Sequence, residues 1–470
     1  MRELLLGKLG LAKLPDERNS VRFRQARLTS VAQLANRILN TLVKFITIPL
    51  AVTILGREEY GVWLTLLSLV AWLSVSDLGL PAALINPLAQ AIGKDDSKRT
   101  RELVSTTFFL LSGVGLVIGG LCIGFALVLP LERILGLNDP TFSWDVRLAT
   151  IVVVAISLGA LVLRLTDAIT LAMQKGYWGA IEDSVALLIS LLCLVSLKIR
   201  GGGLTEFALA ITLPSLFGRL GLWGFLIYRF GQDFAPHIRN ISRQALRNVG
   251  VDGLTFFAGT WGELLVLQTP NIVIAQLLGA AAVPLFAIPY QLFYSAYVLL
   301  NTIATPLWPA YAEAKSKHDW RWIRLTHWRV MRESMLLALV GFTILFVGSS
   351  LLIQHWIGAE YVPPMILLAI LALQFIQWTW NYVFAILLTG LGFIRERVGI
   401  VLVFGVLNVI LSVALTQKFG ITGIAASLFV SMLLTQTWFL AWVIFRRAHW
   451  VFDKGPSQVS TGEQVSKSTL

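Results

Sequence analysis

From Leu28 to Phe445 the chain is a succession of long apolar runs separated by short polar breaks. Each run reaches the ~20 residues that an α-helix needs to cross a hydrocarbon core about 30 Å thick. Twelve can be marked, at 28–55, 60–91, 102–130, 146–174, 178–199, 204–230, 250–279, 282–311, 331–356, 363–391, 398–418 and 421–445. The runs are continuous, whereas outer-membrane strands alternate in about ten-residue segments, so a β-barrel is excluded. The predicted fold class is an all-α polytopic membrane protein with twelve transmembrane helices. Composition agrees: 56% of residues are hydrophobic and 14% charged, with a mean hydropathy of +0.74, well outside the range of soluble domains.

Residues 1–27 form a basic segment without the continuous apolar core and small-residue cleavage site of a signal peptide, so the first span is the expected anchor. The tail 446–470 is polar, and its composition predicts disorder. Lys and Arg are distributed unevenly. With the N-terminus on the cytoplasmic side, 28 of the 38 basic residues fall in cytoplasmic segments and five, Arg57, Arg133, Lys198, Arg200 and Lys418, on the opposite side. Basic residues concentrate in cytoplasmic loops, so both termini are predicted to be cytoplasmic. A basic inner face beside anionic lipid also accounts for the net charge of +12 without any nucleic-acid partner.

The polar stretch 231–249 divides the spans into two sets of six, a lobe over 28–230 and a lobe over 250–445 joined by a cytoplasmic linker. A shift of 223 residues superposes "NPLAQAIGKDD" (86–96) on "PAYAEAKSKHD" (309–319) and Leu55-Gly56 on Leu278-Gly279. It also sets Arg101 opposite Arg324, while "MQKGY" (173–177) is set against "TGLGF" (389–393) after a small change in loop length. Six spans per half gives both halves the same orientation, hence a pseudo-twofold axis along the membrane normal, an arrangement that usually encloses a midplane cavity.

Several charges lie inside the spans. Gln33, Arg37, Asn40 and Lys44 are spaced by four, three and four residues, which puts them on one face of the first helix. A cation at mid-bilayer costs about 2.5–3.5 kcal/mol on insertion scales, so such a face is normally turned to water or to a partner. Two roles are open to Arg37, snorkelling to the cytoplasmic edge or binding in a cavity. Lys44 lies deeper; an ion pair with Asp77 is one role and a cavity ligand the favoured one. Arg164 and Asp167 are three residues apart and are expected to neutralise each other. Arg219 either lines the cavity or snorkels. On the seventh span Asp252 and Glu263 share a face, as candidates for H⁺ or Na⁺ coupling or as counterions to the first span. A cationic cavity suits an anion, and phosphate matches both the charge and the bidentate hydrogen bonding of arginine.

Other chemistry lacks its residues. No GxxxxGK[ST] loop is present, the five histidines have no metal-ligand spacing, and the outward loops are too short to carry a catalytic domain, so no enzyme activity, metal or cofactor is expected. Cys122 and Cys193 sit in apolar spans as small buried side chains. Trp261, Tyr290, Tyr294, Trp308, Trp378 and Trp380 are candidates for stacking on sugar rings, although most such residues form interfacial belts.

"LGREEYGVWLTLLSLVAWLSVSDLGLPAALINPLAQ" (55–90) resembles the Wzx-type polysaccharide and O-antigen flippases of the multidrug/oligosaccharidyl-lipid/polysaccharide superfamily. The Leu-Gly-x-x-x-Tyr-Gly turn and the Asp-Leu-Gly-Leu segment carry the likeness, and the two six-span lobes extend it over most of the chain. The resemblance implies a V-shaped, MATE-like pair of bundles in the bacterial inner membrane that opens alternately to either side. It also implies a polyprenyl-pyrophosphate-linked glycan as cargo, with polysaccharide polymerase and chain-length machinery as neighbouring partners. Arg37, Asn40, Lys44, Arg164 and Arg219 are then the expected substrate-binding set, and Asp77, Asp252 and Glu263 the ion-coupling or counterion set. A lipid II flippase is the nearest rival, but its relatives tend to carry two further C-terminal spans. A multidrug cation antiporter fits a cationic span poorly, and a non-transporting scaffold would need no charge in the lumen.

Overall fold

The structure is a computed structural model that describes residues 17–447, apart from 75–76, 129–130, 132–134, 136–142, 302–303 and 305–306. Every regular element among the described residues is helical. In chain order they are α1 (Glu17–Ser74), α2 (Leu80–Gly93), α3 (Ser97–Val128), α4 (Ser143–Leu163), α5 (Leu165–Ala172), α6 (Tyr177–Arg200), α7 (Leu204–Phe230) and α8 (Arg243–Leu278). They continue with α9 (Val283–Asn301), α10 (Leu307–Ser316), α11 (Trp320–Trp356), α12 (Met365–Gly390), α13 (Ile394–Phe419), α14 (Ile421–Leu434) and α15 (Gln436–Arg447).

Ten apolar helical runs among the described residues are long enough to span a bilayer. The first, Val31–Leu73, has 43 residues, or ~65 Å of helix, twice the hydrocarbon thickness. It breaks at Gly56, whose φ of 71° and ψ of −175° are non-helical, and so supplies two passes. A shorter apolar helix, Leu264–Leu278, marks the seventh span and brings the count to the twelve expected.

The chain packs as two compact units, one running to Leu264 and including Gln268–Pro284, the other beginning in earnest at Leu285 and including Leu265–Leu267. By packing, therefore, α8 groups largely with the first unit, beyond the polar stretch 231–249. That stretch is tied down. Asp233 accepts hydrogen bonds from Ser97 and Arg101, each at 2.7 Å, and Ser105 and Thr106 accept from the backbone of His237 and Ser242. Phe234 enters a core built on Leu84, Leu103, Leu161 and Ile169. The second unit has its own core around Tyr311, Ile323, Phe384 and Leu387.

The internal repeat is visible in the backbone. Gly56 and Gly279, 223 residues apart, both have positive φ, as do Asp95 and His318. The turn after α2 closes through Asp96 N–H to Ala91 C=O at 3.0 Å, and the turn after α10 through Asp319 N–H to Ala314 C=O at 2.9 Å. Asp96 and Asp319 then cap the next helices by accepting from the amides of Arg99 and Trp322. The second match needs correction. Lys175 N–H bonds to Thr170 C=O and Phe393 N–H to Leu388 C=O, which sets Gln174, at φ 59°, opposite Gly392, at φ 84°. The shift there is two residues larger than the one read from "MQKGY" and "TGLGF", because a glycine in one copy replaces a strained glutamine in the other and hides the correspondence.

Both quoted motifs are turns. In Leu-Gly-x-x-x-Tyr-Gly, Gly56 breaks the helix and Gly61 lies so near the Ala280 carbonyl that a Cβ would fall 1.9 Å from its oxygen. Arg57 Nε donates to Ala281 C=O at 2.8 Å and clamps the two repeat-related turns together. In Asp-Leu-Gly-Leu, Asp77 accepts from Gly79 N–H at 2.8 Å while Leu78 and Gly79 adopt positive φ, which ends one helical segment and starts α2.

Candidate functional site

The first span presents two different exposed faces within the first unit. Val31, Ile38, Leu42 and Ile46 are exposed on its apolar side, as lipid-facing residues should be. At about 100° per residue, Gln33, Arg37, Asn40 and Lys44 stand roughly 140–180° round from Leu42. Gln33, Arg37 and Lys44 are exposed and Asn40 partly so. Between the two faces Val43 and Ile48 are buried and Asn36 accepts a hydrogen bond from Ser184 on α6 at 3.0 Å, while Leu34, about 60° from Arg37, is exposed. The stripe is therefore open and centred opposite the face of Val31, Ile38, Leu42 and Ile46.

Neither cation of the stripe makes an ion pair among the described residues. The alternative pairing of Lys44 with Asp77 is not formed, because Asp77 is bound to Arg164 at 2.8 Å. The expected Arg164–Asp167 pair is not formed either. Arg164 occupies the break between α4 and α5, where its side chain leads back to the break that follows α1, and Asp167 pairs with Arg219 of α7 at 2.7 Å. Arg219 also reaches Asp183 of α6 at 3.4 Å and is only 15% exposed. These contacts join the break after α1 and the break between α4 and α5 to α6 and α7.

Glu182 and Asp183 were not among the candidates from sequence, although an adjacent acid pair inside an apolar run is itself a signal. Both Glu182 carboxyl oxygens are buried and lack a hydrogen-bond partner. They lie against Gly218, where a Cβ would fall within contact distance of the carboxyl, at the floor of an apolar groove of about 990 Å³ between α6 and α7. Asp77, Asp167, Glu182 and Asp183 thus outnumber Arg164 and Arg219. The two arginines are already neutralised, while the stripe of the first span has no acidic partner among the described residues. The side chains of Asp252 and Glu263 lie outside the described residues.

At the end of α5, Lys175 stacks over Trp178 and Phe230 at 4.9 and 4.4 Å, and burial together with nearby Arg229 lowers its pKa. Among the described residues no group of His, Cys, Asp and Glu could hold a metal ion.

Of the six aromatic candidates, three come together. Tyr290, Tyr294 and Trp378 belong to one cluster in the second unit, joined there by Tyr297, Phe375 and Tyr382. Trp261 instead meets Trp72 edge-on within the first unit, Trp308 is 51% exposed, and Trp380 packs on Phe384. Tyr297 and Tyr382 were not among the candidates from sequence.

Relatives share this organisation. A provisionally named O-antigen transporter of Salmonella typhi is 21% identical over 437 residues, covering 89% of this chain and 95% of the relative. A provisionally named O-antigen export protein of Yersinia pseudotuberculosis is 22% identical, covering 86% and 92%. Among solved structures, an inward-facing multidrug resistance MATE family transporter superposes with a TM-score of 0.75 at 13% identity, covering 90% of this chain and 99% of that one. A transporter of the same superfamily from Pyrococcus furiosus, described as having a binding pocket of reversed polarity, gives 0.64 at 12% identity, covering 92% and 97%. The fold is MATE-like. The family described as polysaccharide biosynthesis protein matches residues 28–315, and the chain belongs to that family.

Proposed function

We propose that this protein is a flippase that moves a polyprenyl-pyrophosphate-linked oligosaccharide from the cytoplasmic to the outer leaflet of the bacterial inner membrane, for assembly of a cell-surface polysaccharide. The observation that carries the reading is the open stripe of Arg37, Asn40 and Lys44, whose two cations have no acidic partner among the described residues. Two cations on a membrane helix with no acidic partner among the described residues suit an anionic occupant, and a pyrophosphate supplies the charge and the acceptor oxygens. The names of the O-antigen relatives support the same class of cargo. The stripe disfavours organic cations, and with them the antiporter alternative; a lipid II flippase would share the pyrophosphate but not the names of the relatives.

In this mechanism no bond is made or broken. The stripe holds the pyrophosphate, the glycan shares the polar lumen, the lipid tail stays in the bilayer, and the protein alternates access between the two sides. Arg164 and Arg219 do not bind the cargo directly, since their charges are committed to carboxylates. H⁺ or Na⁺ coupling through Asp252 and Glu263 completes the proposal, with both termini cytoplasmic. The test is flipping of a fluorescent polyprenyl-pyrophosphate oligosaccharide in proteoliposomes. Arg37→Ala and Lys44→Ala should each slow it by roughly 10- to 100-fold, the worth of a hydrogen bond to a charged group. Wild-type rates in both variants would sink the reading.

A further inference from the structure

The second unit holds an aromatic cluster with two layers. Phe286, Phe293, Phe342 and Phe375 form the inner layer, each at 2% exposure or less. Phe375 is the hub, with the Tyr290, Tyr297 and Trp378 ring centroids at 5.4, 5.8 and 5.3 Å. The outer layer contains no phenylalanine. It consists of Tyr290, Tyr294 and Tyr297 on α9 and Trp378 and Tyr382 on α12, all partly exposed. Tyr290 stacks on Tyr294 with an interplanar angle of 10°, Tyr297 stacks on Trp378 at 24°, and Tyr382 meets Tyr297 edge-on.

Neither ordinary explanation for membrane tyrosines and tryptophans fits this layer. Interfacial belts sit at helix ends. Trp378 lies 13 residues after Met365 and 12 before Gly390, so it stands ~18–20 Å from either end of α12. A lipid-facing role fails on orientation. The exposed large apolar residues are Leu299 on α9 and, on α12, Leu373 together with Met365 and Ile366 in its first turn. The tyrosines of α9 are about 140–180° round from Leu299, and Trp378 and Tyr382 stand about 140–180° from Leu373 and about 100–160° from Met365 and Ile366. Phenylalanine would also serve against lipid, whereas hydroxyl and indole N–H groups at mid-membrane depth call for a polar partner. The buried Tyr290 hydroxyl has no hydrogen-bond partner.

We infer that Tyr294, Tyr297, Trp378 and Tyr382 form a saccharide-stacking platform that carries the glycan part of the cargo. A pyranose ring presents a face of polarised C–H bonds that packs on the negative face of an aromatic ring, while its hydroxyls bond to groups at the ring edges. A row of amphipathic rings suits this ligand and is tolerant of sugar sequence. The inference rests on the flippase reading, and it assigns sugar recognition to residues distinct from the cationic stripe.

The test compares two probes bound to protein in lipid nanodiscs: polyprenyl pyrophosphate alone, and the same lipid bearing one N-acetylhexosamine. Wild-type protein should bind the glycosylated probe more tightly. Trp378→Leu and Tyr382→Leu should each weaken that probe by roughly tenfold, about 1.4 kcal/mol, and leave the bare lipid unchanged. Trp378→Phe, which keeps a ring, should retain most of the preference, and matched thermal unfolding excludes a folding defect. Equal loss for both probes, or an unchanged preference in Trp378→Leu and Tyr382→Leu, would overturn the platform and leave the flippase reading standing. Failure of wild-type protein to bind either probe would overturn both.

Discussion

The two repeats use different chemistry at matching positions. With the shift of 218 residues defined by the turns at Gln174 and Gly392, Arg164 corresponds to Tyr382, Asp167 to Ala385, and Glu182-Asp183 to Ile400-Val401. The first unit ties its helices with ion pairs among Asp77, Arg164, Asp167, Asp183 and Arg219. The second uses neutral groups: Gln377 and Asn381 donate to Thr437, and Asn408 donates to Ser427 and Ser431. One topology therefore supports either solution. They differ in what happens when a member is lost, since a buried charge without its partner is far more costly than an amide without one.

The largest effect should come from Arg219, whose guanidinium serves Asp167 and Asp183. Arg219→Leu strands those carboxylates, which at 37% and 41% exposure keep part of their hydration, so the loss should fall below the ~3–5 kcal/mol of a fully buried pair. Thermal unfolding in detergent should show it, and adding Asp167→Asn and Asp183→Asn should restore part of the loss. If Arg219→Leu alone unfolds like wild type, the first unit does not depend on its charges. The Arg164–Asp77 pair ranks next. The arginine is 43% exposed, so Arg164→Ala should cost about 1 kcal/mol or less in stability. Because the pair joins two helix breaks, transport should fall more than stability, and the exchange Asp77→Arg with Arg164→Asp should recover part of it. In the second unit, Asn408→Leu should cost only ~0.6 kcal/mol, the mean for hydrogen bonds between membrane helices. A loss as large as that for Arg219 would erase the contrast.

The reach of the sequence follows the same division. Spans, repeat and polar stripe are periodic features, and hydropathy and helical spacing report them directly; Arg37 and Lys44 stand on the expected face. Pairing is not periodic. Arg164 and Asp167 looked like partners because residues three apart share a helical face, but Arg164 sits at a break between α4 and α5, where that rule lapses. What replaced the pair, Arg164 to Asp77 and Asp167 to Arg219, links segments 87 and 52 positions apart, a distance that no local spacing encodes. Glu182 escaped notice for a related reason, since its importance comes from a missing partner and the facing Gly218.

The smallest effect tests what an ion pair is worth outside the spans. Partial burial alone would push the Asp233 carboxyl up, but hydrogen bonds from Ser97 and Arg101 and the charge of Arg101 outweigh it and hold the group below its ordinary value of 3.8. A carboxyl depressed in the folded state adds stability above its unfolded pKa and loses it as pH falls through the folded one. Asp233→Asn should therefore lower stability slightly at neutral pH, and the gap from wild type should close as pH falls below ~4. Raising the salt concentration should shrink the same gap, because Arg101 is 49% exposed and its charge is screened. The gap between Arg219→Leu and wild type should respond less to salt, since Arg219 is 15% exposed against 49% for Arg101. A similar salt response at both sites would mean that water reaches the Arg219 cluster as freely as it reaches Asp233, and the charges of the first unit would then be a solvated surface rather than a buried brace.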